Sequence, residues 1–324
     1  MEPTFPLFRL PENVIIEVLR STDHAEQLLI FSQVSTKAKN LVTSLGVRAR
    51  KVYIEISDAI DLSVRFGPRS LWGFRFRNDS NDQNAELDIN RPMCPNYIFP
   101  YKIIQQSTPF YFSEWLDHIR TIFCYTKPPE VSFWPGSERF ELESLKNMIK
   151  NVTCLTISDE IIDIQSKRIL NTFKNLNKLN LYENPFEDTC EVRKLFIQNF
   201  GKIRFSGIYS LDDMLLVNSE NVRFWSSTTQ KQFNQFIKHW IRGSNPRLQR
   251  MSLSIDETDS VSRDVLLKGI RYVDVAKEKQ LEICRKHKID SDYMVEIRRK
   301  DGTPAVIAVN ERRHFLNVHF VVLY

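Results

Sequence analysis

The sequence predicts an α/β protein in which short amphipathic helices precede a larger body of alternating strands and helices. Helical apolar spacing occurs in three consecutive runs between Phe5 and Leu45. From Lys150 onward, short strand-like segments recur at intervals of 19 to 29 residues, with amphipathic segments between them. Strands that alternate with helices at such short spacing favour a mainly parallel sheet with helices packed against it.

The N-terminal runs predict three helices, each with a plausible first turn. Pro11 suits the first position of a helix, where its missing N–H is not needed. Asp23 and Glu26 have the spacing of a capping pair for the second helix, and Ser35 can cap the third. The apolar positions are Val14, Ile15, Val18, Leu19, Leu28, Leu29, Phe31, Ala38, Leu41 and Val42. So small a unit buries little surface alone, which favours a surface built for another protein.

These helices carry a pattern that resembles an F-box. The matching residues are Leu10-Pro11, Val14-Ile15-Ile16 with Leu19, Leu28-Leu29 and Val34-Ser35. In that family the module docks on the Skp adaptor of a cullin-based ubiquitin ligase, and a recognition domain follows it. The resemblance implies adaptor contacts for Leu10, Pro11, Ile15, Val18, Leu28, Leu29 and Leu41. An ordinary N-terminal helical hairpin is the structural alternative.

The middle of the chain predicts strands and one helix. Residues 50–57 and 71–77 alternate apolar and polar side chains, as half-buried strands do. Asn78 to Asp88 is a polar loop. Ser113 can cap a helix that has Trp115, Ile119, Ile122 and Phe123 on one face. Nothing in the sequence assigns a role to residues 57–109.

A weak internal repeat begins at Lys150. Its first strand residues align as Leu155, Leu179, Ile203, Val222 and Met251, which lie 24, 24, 19 and 29 residues apart. These intervals are typical of leucine-rich repeats, but only one copy carries an asparagine (Asn184) near the expected position. The sequence therefore predicts an irregular leucine-rich-repeat-like domain, and a compact α/β domain with coincidental spacing is the alternative.

The strongest predicted helix is Thr229 to Arg242, which Thr228 or Thr229 caps and Gly243 ends. Its stripe of Phe233, Phe236, Ile237, Trp240 and Ile241 is interpreted as core.

A second resemblance surrounds this helix. Its pattern is Leu211-Asp212-Asp213 with Leu215 and Asn218, then Phe233-x-x-Phe236-Ile237-x-x-Trp240, then Gly243-Ser244-Asn245-Pro246-x-Leu248. This run resembles the type-2 F-box-associated domain of a large nematode F-box family, in which the F-box comes first, as it does here. The segment from Phe112 to Phe123 resembles the same family.

The C-terminus predicts a β-hairpin. Asp301-Gly302 stands between two alternating runs, which is a hairpin signal. Val318 to Tyr324 is predicted to be a last strand that caps the open end of the sheet.

Composition narrows the class of protein. The chain has 324 residues, 42% of them hydrophobic, and a formal charge of +5, which is too mild a bias to indicate nucleic-acid binding. The basic runs Arg298-Arg299-Lys300 and Arg312-Arg313-His314 are interpreted as solvated strand ends. Five scattered cysteines lack metal-site or redox spacing, which is typical of a reduced intracellular protein. No signal peptide or membrane span is evident, so the predicted location is the cytoplasm, with the nucleus left open as a second compartment.

No motif for catalysis, a cofactor or a metal is present in the sequence. The six histidines lack ligand spacing, and there is no glycine-rich phosphate loop and no nucleophile elbow.

The expected function is therefore a non-catalytic receptor subunit of a Skp–cullin–F-box ubiquitin ligase. Its partners would be the Skp adaptor with the cullin core and an unidentified target protein, with no nucleic acid, membrane or cofactor. The predicted domains are an F-box (5–48), a mixed α/β part (49–149) and an F-box-associated, repeat-like part (150–324). The alternatives are a repeat-like interaction scaffold unconnected to ubiquitin, an enzyme whose site is assembled from distant residues, and, last, a nucleic-acid binder.

Overall fold

The computed structural model describes residues 9–22, 25–67, 71–76, 89, 96–98, 103–105, 110–207, 209–256, 263–312 and 315–323. The chain divides into two compact units, the first containing residues up to 154 with 171–174, and the second containing residues 155–170 and 175–324. The predicted mixed α/β class, with N-terminal helices ahead of a large sheet region, is confirmed. The leucine-rich-repeat-like description is not confirmed, and the three domain boundaries stay predictions.

The N-terminal helices of the first unit are α1 (Glu12–Arg20), α2 (Ala25–Ser32) and α3 (Thr36–Ser44). Pro11 stands one position earlier than predicted, since it is the residue that precedes the first helical turn of α1. Ser35 caps α3 as predicted, because its hydroxyl oxygen accepts a hydrogen bond from the Ala38 N–H at 3.1 Å. The predicted capping pair cannot be compared, because Asp23 lies outside the described residues and the side chain of Glu26 is not described.

Six strands of the first unit pair in the order β6-β1-β2-β3-β4-β5 within the described part of the chain. They are β1 (Lys51–Ile56), β2 (Ile60–Arg65), β3 (Leu71–Phe76), β4 (Asn96–Ile98), β5 (Ile103–Gln105) and β6 (Glu130–Phe133). β1 runs parallel to β6, and the other neighbours are antiparallel. The alternation predicted for β1 and β3 is confirmed, since every second side chain there is buried. The predicted loop at 78–88 lies outside the described residues.

Two further helices, α4 (Phe112–Ile122) and α5 (Leu142–Ile149), complete the first unit. Trp115 of α4 lies in an aromatic cluster with Phe74 and Phe76 of β3, at ring distances of 5.3 and 6.3 Å. The predicted Ser113 cap is wrong because α4 begins at Phe112, two residues before the start of a helix that Ser113 would cap. Tyr111 precedes the helix, and its N–H donates to the Glu114 carboxylate at 3.0 Å.

The strands and helices that the repeat predicted lie in the second unit, except that Cys154, Asn171 and Thr172 belong to the first. The strands are β7 (Cys154–Ile157), β8 (Lys178–Leu181), β9 (Lys202–Phe205), β10 (Asn221–Thr228) and β11 (Arg250–Asp256). The helices between them are α6 (Asp163–Thr172), α7 (Thr189–Phe196), α8 (Leu211–Leu216) and α9 (Gln230–Arg242). Thr229 caps α9 and Gly243, at φ +119°, ends it, as predicted.

The strand register follows the sequence alignment of the repeat. Ile203 of β9 lies opposite Leu179 of β8 and Val222 of β10, and Val222 lies opposite Met251 of β11, all in parallel pairs. These four side chains point into the same buried layer. Phe196 of α7 packs edge-on against Phe205, so the helices cover this apolar face.

The chain then adds α10 (Arg263–Leu266), β12 (Val273–Asp274), α11 (Lys277–His287), β13 (Tyr293–Arg298), β14 (Pro304–Arg312) and β15 (Phe315–Val322). The hairpin at Asp301-Gly302 is confirmed, with Gly302 at φ +91° between β13 and β14. The prediction that the last strand caps the sheet is wrong. β15 starts at Phe315, before the predicted Val318, and lies between β11 and β14. It forms antiparallel backbone hydrogen bonds with both of these strands.

Candidate protein-binding surfaces

The seven residues predicted to contact an adaptor divide into two groups in the structure. Four of them, Ile15, Leu28, Leu29 and Leu41, belong to the core of the chain, with Ile15 and Leu29 fully inaccessible to solvent. Leu10 is half-buried, Pro11 is exposed, and Val18 is 45% exposed. An adaptor role for any of the seven stays a prediction, and only the second group is available at the surface of this chain.

Exposed apolar side chains form two stripes on the N-terminal helices. Val14 and Val18 are four residues apart on α1 and therefore share one face of the helix. Ile30 is exposed on α2, and Val34, just beyond the end of that helix, is 64% exposed. Val14, Ile30 and Val34 were not among the predicted contacts. Their apolar spacing could have identified them, but spacing alone does not tell which side of a short helix faces the core.

Helices α2 and α3 pack against α4, and His118 of α4 contacts Ser32 of α2. The Ser32 hydroxyl donates to the Leu29 carbonyl at 2.6 Å and lies 2.7 Å from His118 Nε2. Because the hydroxyl proton is used by Leu29, Nε2 must carry the hydrogen and donate to Ser32. Burial, with a smaller contribution from Lys39, lowers the pKa of His118 to about 4. A cavity of about 370 Å³ adjoins this pair and is lined by residues of α2, α3 and α4.

The residues of the second predicted motif stabilise the connections around α8 and α9. Ser210 and Asp213 cap the first turn of α8, since the Asp213 N–H donates to the Ser210 hydroxyl at 3.2 Å and the Ser210 N–H to the Asp213 carboxylate at 2.8 Å. Asn245 is buried, and its side-chain amide donates to the backbone carbonyls of Met214, Leu215 and Val217 at 3.1, 3.2 and 2.9 Å. These residues therefore hold the loop after α9 against the end of α8.

The face of β9, β10 and β11 opposite the helices carries a cluster of cations. Lys202, Arg204, Arg223 and Arg250 alternate with the buried residues of their strands and surround a cavity of about 160 Å³. We call these four residues the arginine face. Sequence reasoning missed it because no two of the three arginines belong to the same strand. The alternate positions of the aligned repeat were the available signal.

The basic runs near the C-terminal hairpin show local contacts where they are described. Arg298 pairs with Glu296 at 2.9 Å, and Arg299 donates to the Gly243 carbonyl at 2.6 Å. Arg313 and His314 lie outside the described residues.

The described part of the chain has neither a metal-ligand cluster nor a membrane-spanning helix. No group of three or more His, Cys, Asp or Glu side chains there is placed to hold a metal ion. The cysteines at 124, 154, 190 and 284 form no disulfide among the described residues, and Cys94 lies outside those residues. No helix in the described ranges is long and apolar enough to cross a membrane.

Two segments of the chain match known protein families. Residues 7–50 match the F-box domain family, and residues 191–253 match the F-box associated family. The resemblance to nematode-type F-box proteins is therefore confirmed: an F-box is followed by an F-box-associated domain. Proteins with these domains are generally substrate adaptors of Skp–cullin–F-box ligases and are typically non-catalytic.

One curated relative is similar over most of both chains. The F-box associated domain-containing protein sdz-33 of Caenorhabditis elegans is 25% identical over 297 residues, which cover 90% of this chain and 93% of the relative. No solved structure matches the chain.

Proposed function

We propose that this chain is a substrate-recognition subunit of a Skp–cullin–F-box ubiquitin ligase, binding the Skp adaptor through residues 5–48 and a target protein through the domain behind them. The observation that carries the proposal is the order of the two family matches, F-box first and F-box associated second. Exposed apolar side chains on α1 and α2 support it, because apolar surface outside the core is typical of a partner contact.

The predicted adaptor residues would act in two ways. Ile15, Leu28, Leu29 and Leu41 would hold the three helices in position from within the core. Leu10, Pro11 and Val18 would contact the adaptor directly, together with the exposed residues Val14, Ile30 and Val34. A few buried anchors supply most of the binding energy of a typical interface, so loss of one or two should be decisive.

The contribution of such a subunit to ubiquitin transfer is positional. A target held beside the loaded conjugating enzyme reacts at a high effective concentration, without a catalytic side chain from the receptor.

Adaptor binding tests the proposal directly. The full-length chain should bind a recombinant Skp adaptor in surface plasmon resonance, and the double variant Val18→Asp/Val34→Asp should bind at least about tenfold more weakly. Both positions are exposed, so circular dichroism should show an unchanged fold. Ile15→Asp is a poor substitute because it places a charge in the core and would unfold the helices.

The matched control is Leu281→Asp, which adds the same charge at an exposed apolar position of α11, 61% accessible, and should leave adaptor binding unchanged. Equal affinity of the double variant and the wild-type chain would contradict the proposed docking surface. A folded wild-type chain that binds no adaptor would instead favour an interaction scaffold unconnected to ubiquitin.

A further inference from the structure

The arginine face is a product of strand register. Arg204 of β9 lies directly opposite Arg223 of β10, and Asn221 lies opposite both Lys202 of β9 and Arg250 of β11. Because side chains alternate along a strand, all four cations project from the face opposite the buried layer. The four cations therefore lie on three adjacent strands of one sheet, within the segment that matches the F-box associated family.

Neighbouring elements bound this face on two sides. Val321 of β15 pairs with Arg250 and packs with Ile283 of α11, so α11 covers the same face next to β11. The guanidinium of Arg250 donates to the His287 carbonyl at the end of α11 at 2.9 Å, which holds this side chain in place. On the other side, Tyr182 stacks on Trp225 with ring centroids 4.5 Å apart. The cavity itself is lined by residues of β9, β10 and β11.

The electrostatics of the site favour an anion. The described residues that line the cavity include Asn221 and Ser252 but no aspartate or glutamate. Burial and the nearby Arg204 lower the pKa of Arg223, and burial and Arg223 lower that of Arg250. The buried Nε of Arg204 has no hydrogen-bond partner among the described residues. A bound anion would offset the repulsion between these guanidinium groups and would accept a hydrogen bond from the Arg204 Nε.

The chemistry and size of the site favour a phosphoryl group. Guanidinium groups bind phosphate through two parallel hydrogen bonds, and clusters of arginines are a recurring means of recognising phosphorylated peptides. A cavity of about 160 Å³ accommodates one such group rather than a long polymer. The aromatic rings beside it are already stacked on each other, and the Arg223 guanidinium lies 5.9 Å from the Trp225 ring, so these rings are not open platforms for nucleic-acid bases.

We propose that the arginine face binds a phosphorylated side chain in an extended segment of the target protein. This proposal rests on the proposed function, because it names the class of target that the receptor would select. Recognition would then depend on prior phosphorylation of the target by a kinase.

Peptide binding tests the proposal. The probe is a fluorescein-labelled pool of ten-residue peptides with a fixed central phosphoserine, compared by fluorescence anisotropy with pools that have serine or glutamate at that position. The full-length chain should bind the phosphoserine pool at least about tenfold more tightly than either of the others. Arg204→Ala and Arg223→Ala should each lose about tenfold in affinity, and Arg223→Lys should lose part of it because the two-pronged contact is gone.

The matched control is Arg247→Ala, since Arg247 is a surface arginine of the same unit that contacts Asn199 and Glu220 outside the cavity. It should leave phosphoserine binding unchanged. Circular dichroism should show that all variants are folded.

Four outcomes would overturn the proposal. Equal binding of the phosphoserine and serine pools would remove the phosphate requirement, and equal binding of the glutamate pool would indicate a general acidic-peptide site. Full affinity in Arg204→Ala and Arg223→Ala would place binding elsewhere. Tighter binding of a single-stranded RNA ten-mer than of the phosphoserine pool, with steep salt dependence, would indicate nucleic acid instead.

Adaptor binding measured on the same samples separates this proposal from the function it rests on. Loss of the phosphoserine preference with intact adaptor binding contradicts only the arginine-face proposal. Phosphoserine binding without adaptor binding contradicts only the ligase assignment.

Discussion

His118 shows how the packing of a single side chain makes stability depend on pH. Its imidazole is neutral in the folded chain because burial and Lys39 lower its pKa to about 4, whereas an unfolded histidine titrates near pH 6.5. The unfolded state therefore binds the proton more readily than the folded state. The stabilisation is fully present above about pH 6.5 and is lost as the pH falls from there towards 4.

Replacing His118 with glutamine should remove this dependence. A glutamine amide can still donate to Ser32 but does not titrate. Between pH 7 and pH 4.5 the free energy of unfolding of the wild-type chain should fall by about 1–2 kcal/mol more than that of His118→Gln. Urea denaturation at both pH values measures the difference. His239→Gln on α9 serves as the control. The prediction would be contradicted if the free energy of unfolding of His118→Gln fell as steeply with pH as that of the wild-type chain.

Asn245 is the side chain on which the connection between α8 and α9 most depends. Its amide satisfies three carbonyls, and its backbone is left-handed at φ +50°, which asparagine tolerates better than alanine. Asn245→Ala should lower the free energy of unfolding by about 2–3 kcal/mol, because carbonyls lose their donor in the interior. Urea denaturation measures the loss. Asn147→Ala, at an exposed position of α5, should change stability by at most about 0.5 kcal/mol.

Among the helices, α8 offers a matched pair of carboxylates for testing a cap. Burial raises the pKa of Asp213, but hydrogen bonds from Ser210 and the ion pair with Arg193 at 3.1 Å outweigh burial, so the net direction is down. Asp212 is its exposed neighbour in the same turn. A lowered pKa means that the ionised carboxylate stabilises the fold above its unfolded pKa of about 3.9 and stops doing so as the pH falls through the folded value.

Asp213→Asn should therefore lower the free energy of unfolding by about 1–2 kcal/mol at pH 7. The difference in free energy of unfolding between this variant and the wild-type chain should become smaller below about pH 4. Asp212→Asn should cost far less, since its carboxylate is solvated. Chemical denaturation at pH 7 and pH 3 measures both variants. Equal losses for the two substitutions would show that general helix charge, and not the cap, is responsible.

Most strands and helices of the second unit could be predicted because their apolar residues recur with regular spacing. The alignment of Leu179, Ile203, Val222 and Met251 in the sequence is also their hydrogen-bonded register. β2 was not predicted, although Ile60, Leu62 and Val64 alternate clearly. The start of α4 was misplaced by two residues because Tyr111, and not Ser113, precedes the helix, and the Glu114 carboxylate accepts the hydrogen bond from the Tyr111 N–H.

Across the complete chain, the two proposed binding functions should be separable. The apolar stripes and the arginine face belong to different compact units. Val18→Asp should leave phosphoserine-pool affinity within about twofold of the wild type, and Arg223→Ala should do the same for adaptor affinity. Binding assays on the two variants and their combination measure this. A combined variant whose losses are not additive would reveal coupling between the surfaces.

Local apolar periodicity was sufficient to predict most helices and strands, because these patterns involve residues that are close in sequence. The order of an F-box before its associated domain came from the resemblance of two local motifs to a known family. Periodicity could not separate Ile15, in the core, from Val18, at the surface, since that difference depends on which side of α1 the rest of the first unit covers. Nor could it bring Arg204, Arg223 and Arg250 together. Their strands are distant in sequence and become adjacent only when parallel pairing sets the register, which is a property of long-range packing.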